Sequence, residues 1–171
     1  ISLISAMILF IVFTSVLLGL CRSAPAQSTF NNVCDGHSNY TDPQTGKITC
    51  YFFEMVAYSW QEAEQVCQYS GSGNPTVHYG AHLASIHDQA FNTFLVYLVT
   101  YLDFTASFYI GLYDTRAGYS WTDESVIDYN NFGPGNPNPN LGSCFTVKTY
   151  PNDSSRGKWF NSDCNQVHPY V

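Results

Sequence analysis

The pattern of hydrophobic and polar positions predicts a domain of short strands and two helices. A run of β-branched and aromatic residues over Lys47–Phe53 is typical of a strand. Ser59 and Glu62 have the spacing of a capping box, which predicts a helix from there to about Tyr69. The residues expected on the inward face of this helix are Trp60, Ala63 and Cys67.

A second helix is predicted near His87–Leu102, because apolar residues recur there at helical spacing. These residues are Phe91, Phe94, Leu95, Leu98 and Leu102. Further strands are predicted over His82–Ile86, Phe108–Leu112, Cys144–Val147 and Lys158–Phe160. Because the helices come early and most strands late, without βαβ alternation, the order of elements favours an α+β fold.

The periodicity stops between Tyr113 and Ser143. This stretch of about thirty residues is rich in Gly, Pro, Asn and Asp, and a loop of that length in a compact domain usually has a function. The sequence therefore places the candidate binding surface here.

The N-terminus predicts the compartment. Residues 3–20 are almost all apolar and carry no charge, and Ala24 and Ala26 form an A-x-A cleavage pattern. We interpret residues 1–26 as a signal peptide whose basic leader is missing, since the chain begins at Ile1. A membrane anchor is the alternative, because 18 apolar residues can just span a bilayer. Cleavage would give a secreted, extracellular chain that does not insert into a membrane.

Composition narrows the possible partners. The 171 residues carry a formal charge of −7, from six Lys and Arg against thirteen Asp and Glu. Such an acidic chain repels phosphate backbones, so nucleic acid is not an expected partner. Asn39 and Asn152 each lie in an N-x-S/T sequon and are candidate glycosylation sites in a secreted protein.

The cysteine count needs an explanation. The chain has six cysteines, but Cys21 would leave with the signal peptide, so five would remain. An odd number in an oxidising compartment means a free thiol, a link between two chains or an incomplete sequence. No cysteine and histidine spacing typical of a zinc site is present.

No enzymatic role is expected. The sequence contains neither a G-x-S-x-G elbow nor an H-E-x-x-H helix. His78, His82 and His87, together with Asp88, are the nearest approach to an acid–base or metal cluster. Asp123 and Glu124 are adjacent and so diverge in direction, which makes them a poor carboxylate pair for glycoside cleavage.

Seven motifs in order resemble those of a C-type lectin domain, over residues 34–171. They are Cys50-Tyr51-Phe52, the helix ending in Cys67, His82-Leu-Ala-Ser-Ile-His87, Tyr109-Ile-Gly-Leu112, Trp121-Thr-Asp123, Gly135-Asn-Pro-Asn138 and Gly157-Lys-Trp159 with Cys164. The resemblance implies two helices flanking small antiparallel sheets, with a long irregular ligand loop.

The resemblance also implies a disulfide pattern. It pairs Cys144 with Cys164, and Cys34 with Cys50 as in the long form of the domain. Cys67 would join a terminal cysteine that the family places one residue after Val171. We therefore expect the sequence to be truncated there and Cys67 to be unpaired through that truncation.

In the resembling family the loop binds calcium, which in turn holds the sugar. The five matching positions in this chain are Asn136, Asn138, Gly142, Phe160 and Asn161. None is a carboxylate, and calcium affinity depends on carboxylate ligands, so we expect no cofactor and weakened or lost calcium binding. Asp163 is a possible substitute ligand. The resemblance further implies a cis bond between Asn136 and Pro137.

These observations predict a secreted, non-enzymatic, carbohydrate-binding lectin-like protein. Asn136, Asn138 and Asn161 are the candidate sugar-binding residues, and glycans or a glycoprotein surface are the expected partners. Loop aromatics such as Trp121 and Phe132 could stack on sugars, or they could be the core of the loop. The alternative function is a lectin-like domain that recognises a protein instead of a sugar.

Overall fold

A computed structural model describes residues 38–69, 80–102 and 107–171. The segment predicted to be a signal peptide, its predicted cleavage site and Cys34 lie outside the described residues. Within them the fold is α+β, as predicted, with two helices packed on a curled mixed sheet. No helix in these ranges is long and apolar enough to cross a membrane.

Along the described part of the chain, three strands come first, the two helices follow, and five strands come last. The strands are β1 Ser38–Thr41, β2 Ile48–Tyr51, β3 Glu54–Tyr58, β4 Phe108–Asp114, β5 Tyr119–Trp121, β6 Cys144–Val147, β7 Trp159–Ser162 and β8 His168–Tyr170. The helices are α1 Trp60–Tyr69 and α2 Gln89–Tyr101, and a single 3-10 turn covers Pro139–Leu141.

The main sheet is built around β4. Its strand order is β3-β8-β4-β6-β7, and β5 pairs with β4 beyond this path. All pairings are antiparallel except that of β4 with β8, so the sheet is mixed where the resemblance implied antiparallel sheets. Phe108, Ile110 and Leu112 are fully buried, because this strand has neighbours in the sheet and a helix over its face. Strands β1 and β2 form a separate hairpin.

Helix α1 begins at the predicted capping box. The Glu62 carboxylate accepts hydrogen bonds from the backbone N–H and the hydroxyl of Ser59, at 3.1 and 2.6 Å. These bonds lower the pKa of Glu62. The predicted inward face is confirmed, and Trp60 fixes the helix to the sheet by donating from Nε1 to the carbonyl of Ile110 at 2.9 Å.

Helix α2 has a polar N-cap residue and buries one apolar face. Asp88 caps it by accepting from the backbone N–H of Phe91 at 2.6 Å. Phe91 and Leu95 are buried as predicted. Leu102 is 41% exposed, because it is the C-cap residue and lies beyond the last packed turn.

Several strand predictions are wrong in their bounds. His82–Ile86 is not a strand: apart from an isolated bridge at His82 it is an irregular, mostly buried segment whose backbone bonds go singly to other elements, as when Ala84 donates to the carbonyl of Val171. Lys47–Phe53 contributes only β2, and β3 follows after a break. The pattern also missed β1, β3, β5 and β8, which are three to five residues long and, unlike the equally short β6, are not buried along their whole length.

The predicted Cys144–Cys164 disulfide is confirmed. Cys50 is disulfide-bonded too, in agreement with a second bridge, although its predicted partner Cys34 lies outside the described residues. The expectation that Cys67 is unpaired is wrong, because Cys67 is also disulfide-bonded. The expectation followed from the family pattern, in which the partner of this cysteine is a terminal cysteine placed one residue after Val171.

Candidate functional site

The candidate site is the segment that connects β5 to β6, held against the end of β7. The Cys144–Cys164 disulfide, with a Cα–Cα distance of 5.2 Å, ties the start of β6 to the residue that follows β7 by two positions. The backbone N–H of Gly133 donates to the carbonyl of Trp159 at 2.9 Å, which fixes the middle of the loop to β7. The loop is therefore irregular but attached to β7 at its middle and close to its C-terminal end.

Three asparagines in this loop and on β7 form one hydrogen-bonded cluster. Asn136 Oδ1 accepts from the backbone N–H of Asn161 at 2.9 Å. Asn161 Oδ1 in turn accepts from the backbone N–H of Asn138 at 2.6 Å, and Asn161 Nδ2 donates to the carbonyl of Gly142 at 2.7 Å. The structure thus brings together four of the five positions singled out in the sequence, and the bond between Asn136 and Pro137 is cis as predicted.

The cluster leaves little of Asn161 for a ligand. The residue is 9% exposed, and its side-chain oxygen and nitrogen both bond the protein backbone. A buried amide that loses such bonds costs free energy, so Asn161 serves to join the loop to β7.

Asn138 has a different role. Its Oδ1 accepts from the backbone N–H of Asn140 at 3.1 Å and so caps the 3-10 turn that begins at Pro139. No hydrogen bond to Asn138 Nδ2 or to the Asn140 side chain is present in the described part of the chain. The Asn140 side chain and Leu141 are exposed next to it. These groups form the polar and apolar tip of the loop.

Gly142 lies where the resembling family supplies an acidic ligand. Its φ of 132° and ψ of 170° belong to a region that only glycine adopts readily. A Cβ placed there would lie 2.0 Å from the carbonyl oxygen of Ser162. This position therefore has no room for an aspartate side chain.

Phe160, the fifth position, faces away from the asparagine cluster. A Cβ on Gly133 would lie 2.2 Å from the ring, so the ring packs directly on that glycine. The ammonium group of Lys148 lies 4.2 Å from the ring centroid, a cation–π contact. Phe160 thus contributes no oxygen ligand and has a packing role.

The aromatic residues of the loop belong mainly to its core. Trp121 is 1% exposed and stacks edge-on with Trp159 at a centroid distance of 5.6 Å. Phe132 is partly buried between Phe145 and Trp159. Tyr129 packs on Trp159 and donates from its hydroxyl to Gln89, and burial raises the pKa of Tyr129. Of the two interpretations open for Trp121 and Phe132, packing is the one that the structure supports.

The carboxylates near the loop are engaged elsewhere. Asp163 is exposed and accepts from the backbone N–H and side chain of Asn165, both at 3.0 Å, so it stabilises its own turn. Asp123 accepts from the hydroxyl of Ser85 at 2.7 Å. Among the described residues no group of three His, Cys, Asp or Glu side chains is placed to hold a metal ion.

A serine, a histidine and an aspartate do line up before α2, but they are not a catalytic site. His87 Nδ1 lies 2.8 Å from Asp128, and His87 Nε2 lies 3.2 Å from the hydroxyl of Ser85. The bond to His87 lowers the pKa of Asp128. Ser85 is 1% exposed and already donates to Asp123, so its oxygen is neither accessible nor available for deprotonation. His82 belongs to a separate, partly buried pair with Glu64.

The sequence singled out Asn136, Asn138 and Asn161 as ligand residues, and Asn140 as a loop residue able to bond a sugar hydroxyl, but it missed Leu141 as the exposed apolar residue of the tip. The available signal was Asn138 followed by Pro139. An N-cap residue with proline at the first helical position is the start signal of a helical turn. The exposed residues of that turn could have been identified from it.

Known proteins share this architecture. Residues 56–171 match the family model for the lectin C-type domain. The chain is 32% identical over 127 residues to C-type mannose receptor 2 of Homo sapiens, which is 72% of this chain and 8% of the receptor. It is 30% identical over 119 residues to lectin BRA-3 of Megabalanus rosa, which is 68% of this chain and 65% of that lectin. The chain thus spans less than two thirds of the length of these relatives. The crystal structure of CEL-IV superposes with a TM-score of 0.58 at 28% identity, covering 75% of this chain and 87% of that one.

Proposed function

Because the chain belongs to the C-type lectin domain family, we propose that it is a secreted carbohydrate-binding protein that does not use calcium at the site where the family binds it. Proteins of this family bind ligands and are not enzymes, as the sequence predicted. The relatives named above include a lectin and a receptor named for mannose, which supports a glycan as the ligand.

The observation that carries the proposal is the internal bonding of Asn161. Calcium requires six to eight oxygen ligands, several of them carboxylates. Here Asn161 binds two backbone groups, Gly142 has no side chain and Phe160 is apolar. Hydrogen bonds between loop and strand thus occupy the positions at which the family holds the ion.

The exposed tip of the loop offers groups for direct contact with a sugar. Asn138 Nδ2 can donate to a hydroxyl, and the Asn140 amide can both donate and accept. Leu141 is 53% exposed and presents an apolar surface to the C–H face of a pyranose. This combination of a few polar groups beside an apolar surface is the usual composition of a small-ligand site.

A glycan array read with calcium and again with EDTA tests the proposal. We expect the same glycans to bind in both conditions, and Asn140→Ala to weaken binding about fivefold, the contribution of about one hydrogen bond. Gln65→Ala removes an exposed amide from α1 and is the matched control, which should bind as the unmodified chain does. Hits that disappear with EDTA would contradict the proposal.

A protein ligand is the second candidate, favoured by a specific feature of the same loop. Val126 and Ile127 are 71% and 42% exposed and adjacent in sequence, and Leu141 adds a third exposed apolar side chain on the loop. Aromatic or aliphatic side chains of a partner protein could cover such residues. An array without any glycan hit in either condition would favour this candidate.

Asn39 and Asn152 are both exposed, which supports the proposal that they carry glycans.

A further inference from the structure

A surface cleft lies between α2 and the hairpin that joins β6 to β7. Its volume is about 390 Å³, within the range of small-ligand sites. The cleft is lined by Gln89, Asn92, Thr93, Val96, Tyr97, Asn131, Arg156, Gly157 and Lys158. None of these residues belongs to the loop tip at residues 136–142.

The lining of the cleft has the opposite charge to the chain as a whole. Acidic residues outnumber basic ones thirteen to six, yet the cleft contains Arg156 and Lys158 and no carboxylate. Helix α2, which forms one wall, has no acidic residue along its length. Lys148 in the same hairpin is neutralised by Asp153 at 3.4 Å. In the described part of the chain neither Arg156 nor Lys158 has such a partner.

The floor of the cleft is rigid. The carbonyl of Gly157 accepts from Asn92 Nδ2 at 3.1 Å and from Asn131 Nδ2 at 2.8 Å, and both asparagines are buried. Gly157 has a φ of 80°, which favours glycine, and its backbone N–H donates to the carbonyl of Lys148. The turn that carries both cations is thus fixed onto α2.

The two cations are positioned by neutral partners and keep their charge available. Lys158 Nζ donates to Asn131 Oδ1. One terminal nitrogen of Arg156 donates to the hydroxyl of Thr100 at 2.7 Å, which leaves the other guanidinium donors for a ligand. A fixed guanidinium favours planar, bidentate recognition of a carboxylate or a sulfate-like group.

The remaining wall suits a sugar ring. Tyr97 is 65% exposed, and its ring stacks with that of Tyr101 at a centroid distance of 6.1 Å. An exposed aromatic face can cover the C–H side of a pyranose, while Gln89 and Thr93 supply an amide and a hydroxyl beside it.

We propose that this cleft is a second binding site, which takes an acidic saccharide whose sulfate or carboxylate group binds Arg156 and Lys158 while a ring of the sugar packs on Tyr97. The site is independent of calcium and of the loop tip. It does not rest on the function proposed above, since none of its residues belongs to the asparagine cluster or to the loop tip.

The test is calorimetric titration of the chain with a heparin-derived hexasaccharide and with an oligogalacturonate, at physiological salt. We expect Arg156→Ala to weaken the binding of the preferred probe about tenfold, which is the contribution of one charge-assisted hydrogen bond. We expect Arg156→Lys to recover only part of the loss, because it keeps the charge but not the bidentate geometry. Tyr97→Ala should weaken binding as well.

Two control variants distinguish binding in the cleft from general electrostatic attraction of the chain to a polyanion. Lys47→Ala and Arg116→Ala each remove one exposed positive charge elsewhere, and they should leave the affinity unchanged. Arg156 is exposed, so its substitution is expected to leave the urea midpoint within error of the unmodified chain. Equal weakening in the controls, no weakening in Arg156→Ala, or no binding of either probe would overturn the proposal. The sulfated probe alone, the uronic probe alone, or both binding would each support it and identify the group.

Discussion

Replacing Gly142 tests whether the loop could recover an acidic calcium ligand. The φ of 132° and ψ of 170° cost a residue with a side chain about 1–3 kcal/mol. A Cβ would also lie 2.0 Å from the carbonyl oxygen and 2.2 Å from the carbonyl carbon of Ser162. Those are backbone atoms of β7, two residues before the Cys164 disulfide, so they have little freedom to move. Overpacking of this kind costs about 1–3 kcal/mol more.

We therefore expect Gly142→Ala to lower the free energy of unfolding by about 2–6 kcal/mol, the sum of the two costs. Urea unfolding followed by tryptophan fluorescence, with disulfides intact, measures this change. Gly135→Ala is the matched control: Gly135 also has a positive φ, of 74°, but no atom lies within 4 Å of its added Cβ. It should cost only about 1–2 kcal/mol. Equal costs for the two variants would refute the argument from close approach.

Three further predictions concern the frame of the site. Asn161→Ala should lower the free energy of unfolding by about 2–3 kcal/mol and loosen the loop, because it leaves two backbone groups without partners. Urea unfolding and backbone amide exchange of Asn138 measure this, and a change near zero would contradict it. Replacing Cys144 and Cys164 together by alanine should cost about 3 kcal/mol, since the bridge closes a loop of 20 residues, and a loss below about 1 kcal/mol in the same assay would contradict it. Burial lowers the pKa of His168, so the folded chain binds this proton less readily than the unfolded chain does. Stability should therefore fall as the pH drops below about 6.5, and His168→Gln should remove that part of the pH dependence. An ordinary pKa for His168 in an NMR titration would contradict this.

The sequence predicted the fold where a local pattern has a single solution. The capping box at Ser59 and the apolar spacing from Phe91 gave both helices, and the order of motifs gave the family. His82–Ile86 was misjudged because a buried apolar segment can satisfy its backbone through single bonds to several elements, and sequence patterning does not show this. Strands β1, β3, β5 and β8 were not predicted, because a strand of three to five residues that is partly exposed carries no continuous apolar run.

The candidate site was predictable in identity but not in role. Reading Asn136, Asn138 and Asn161 as one cluster was correct, because the family motif places them. The sequence does not show that the oxygen and the nitrogen of the Asn161 side chain both bond backbone groups, because these bonds depend on three-dimensional packing. The cleft beside α2 combines residues 89–97 with 131 and 156–158, and no local pattern connects positions so distant in sequence.

Calorimetric titration of the chain with Ca²⁺ tests the central claim most directly. The claim is that hydrogen bonds between Asn136, Asn138, Gly142 and Asn161 take the place of an ion in this domain. The account predicts no saturable heat up to millimolar calcium and no shift of the thermal unfolding midpoint on adding it. A dissociation constant in the low micromolar range, accompanied by a rise of that midpoint, would contradict it.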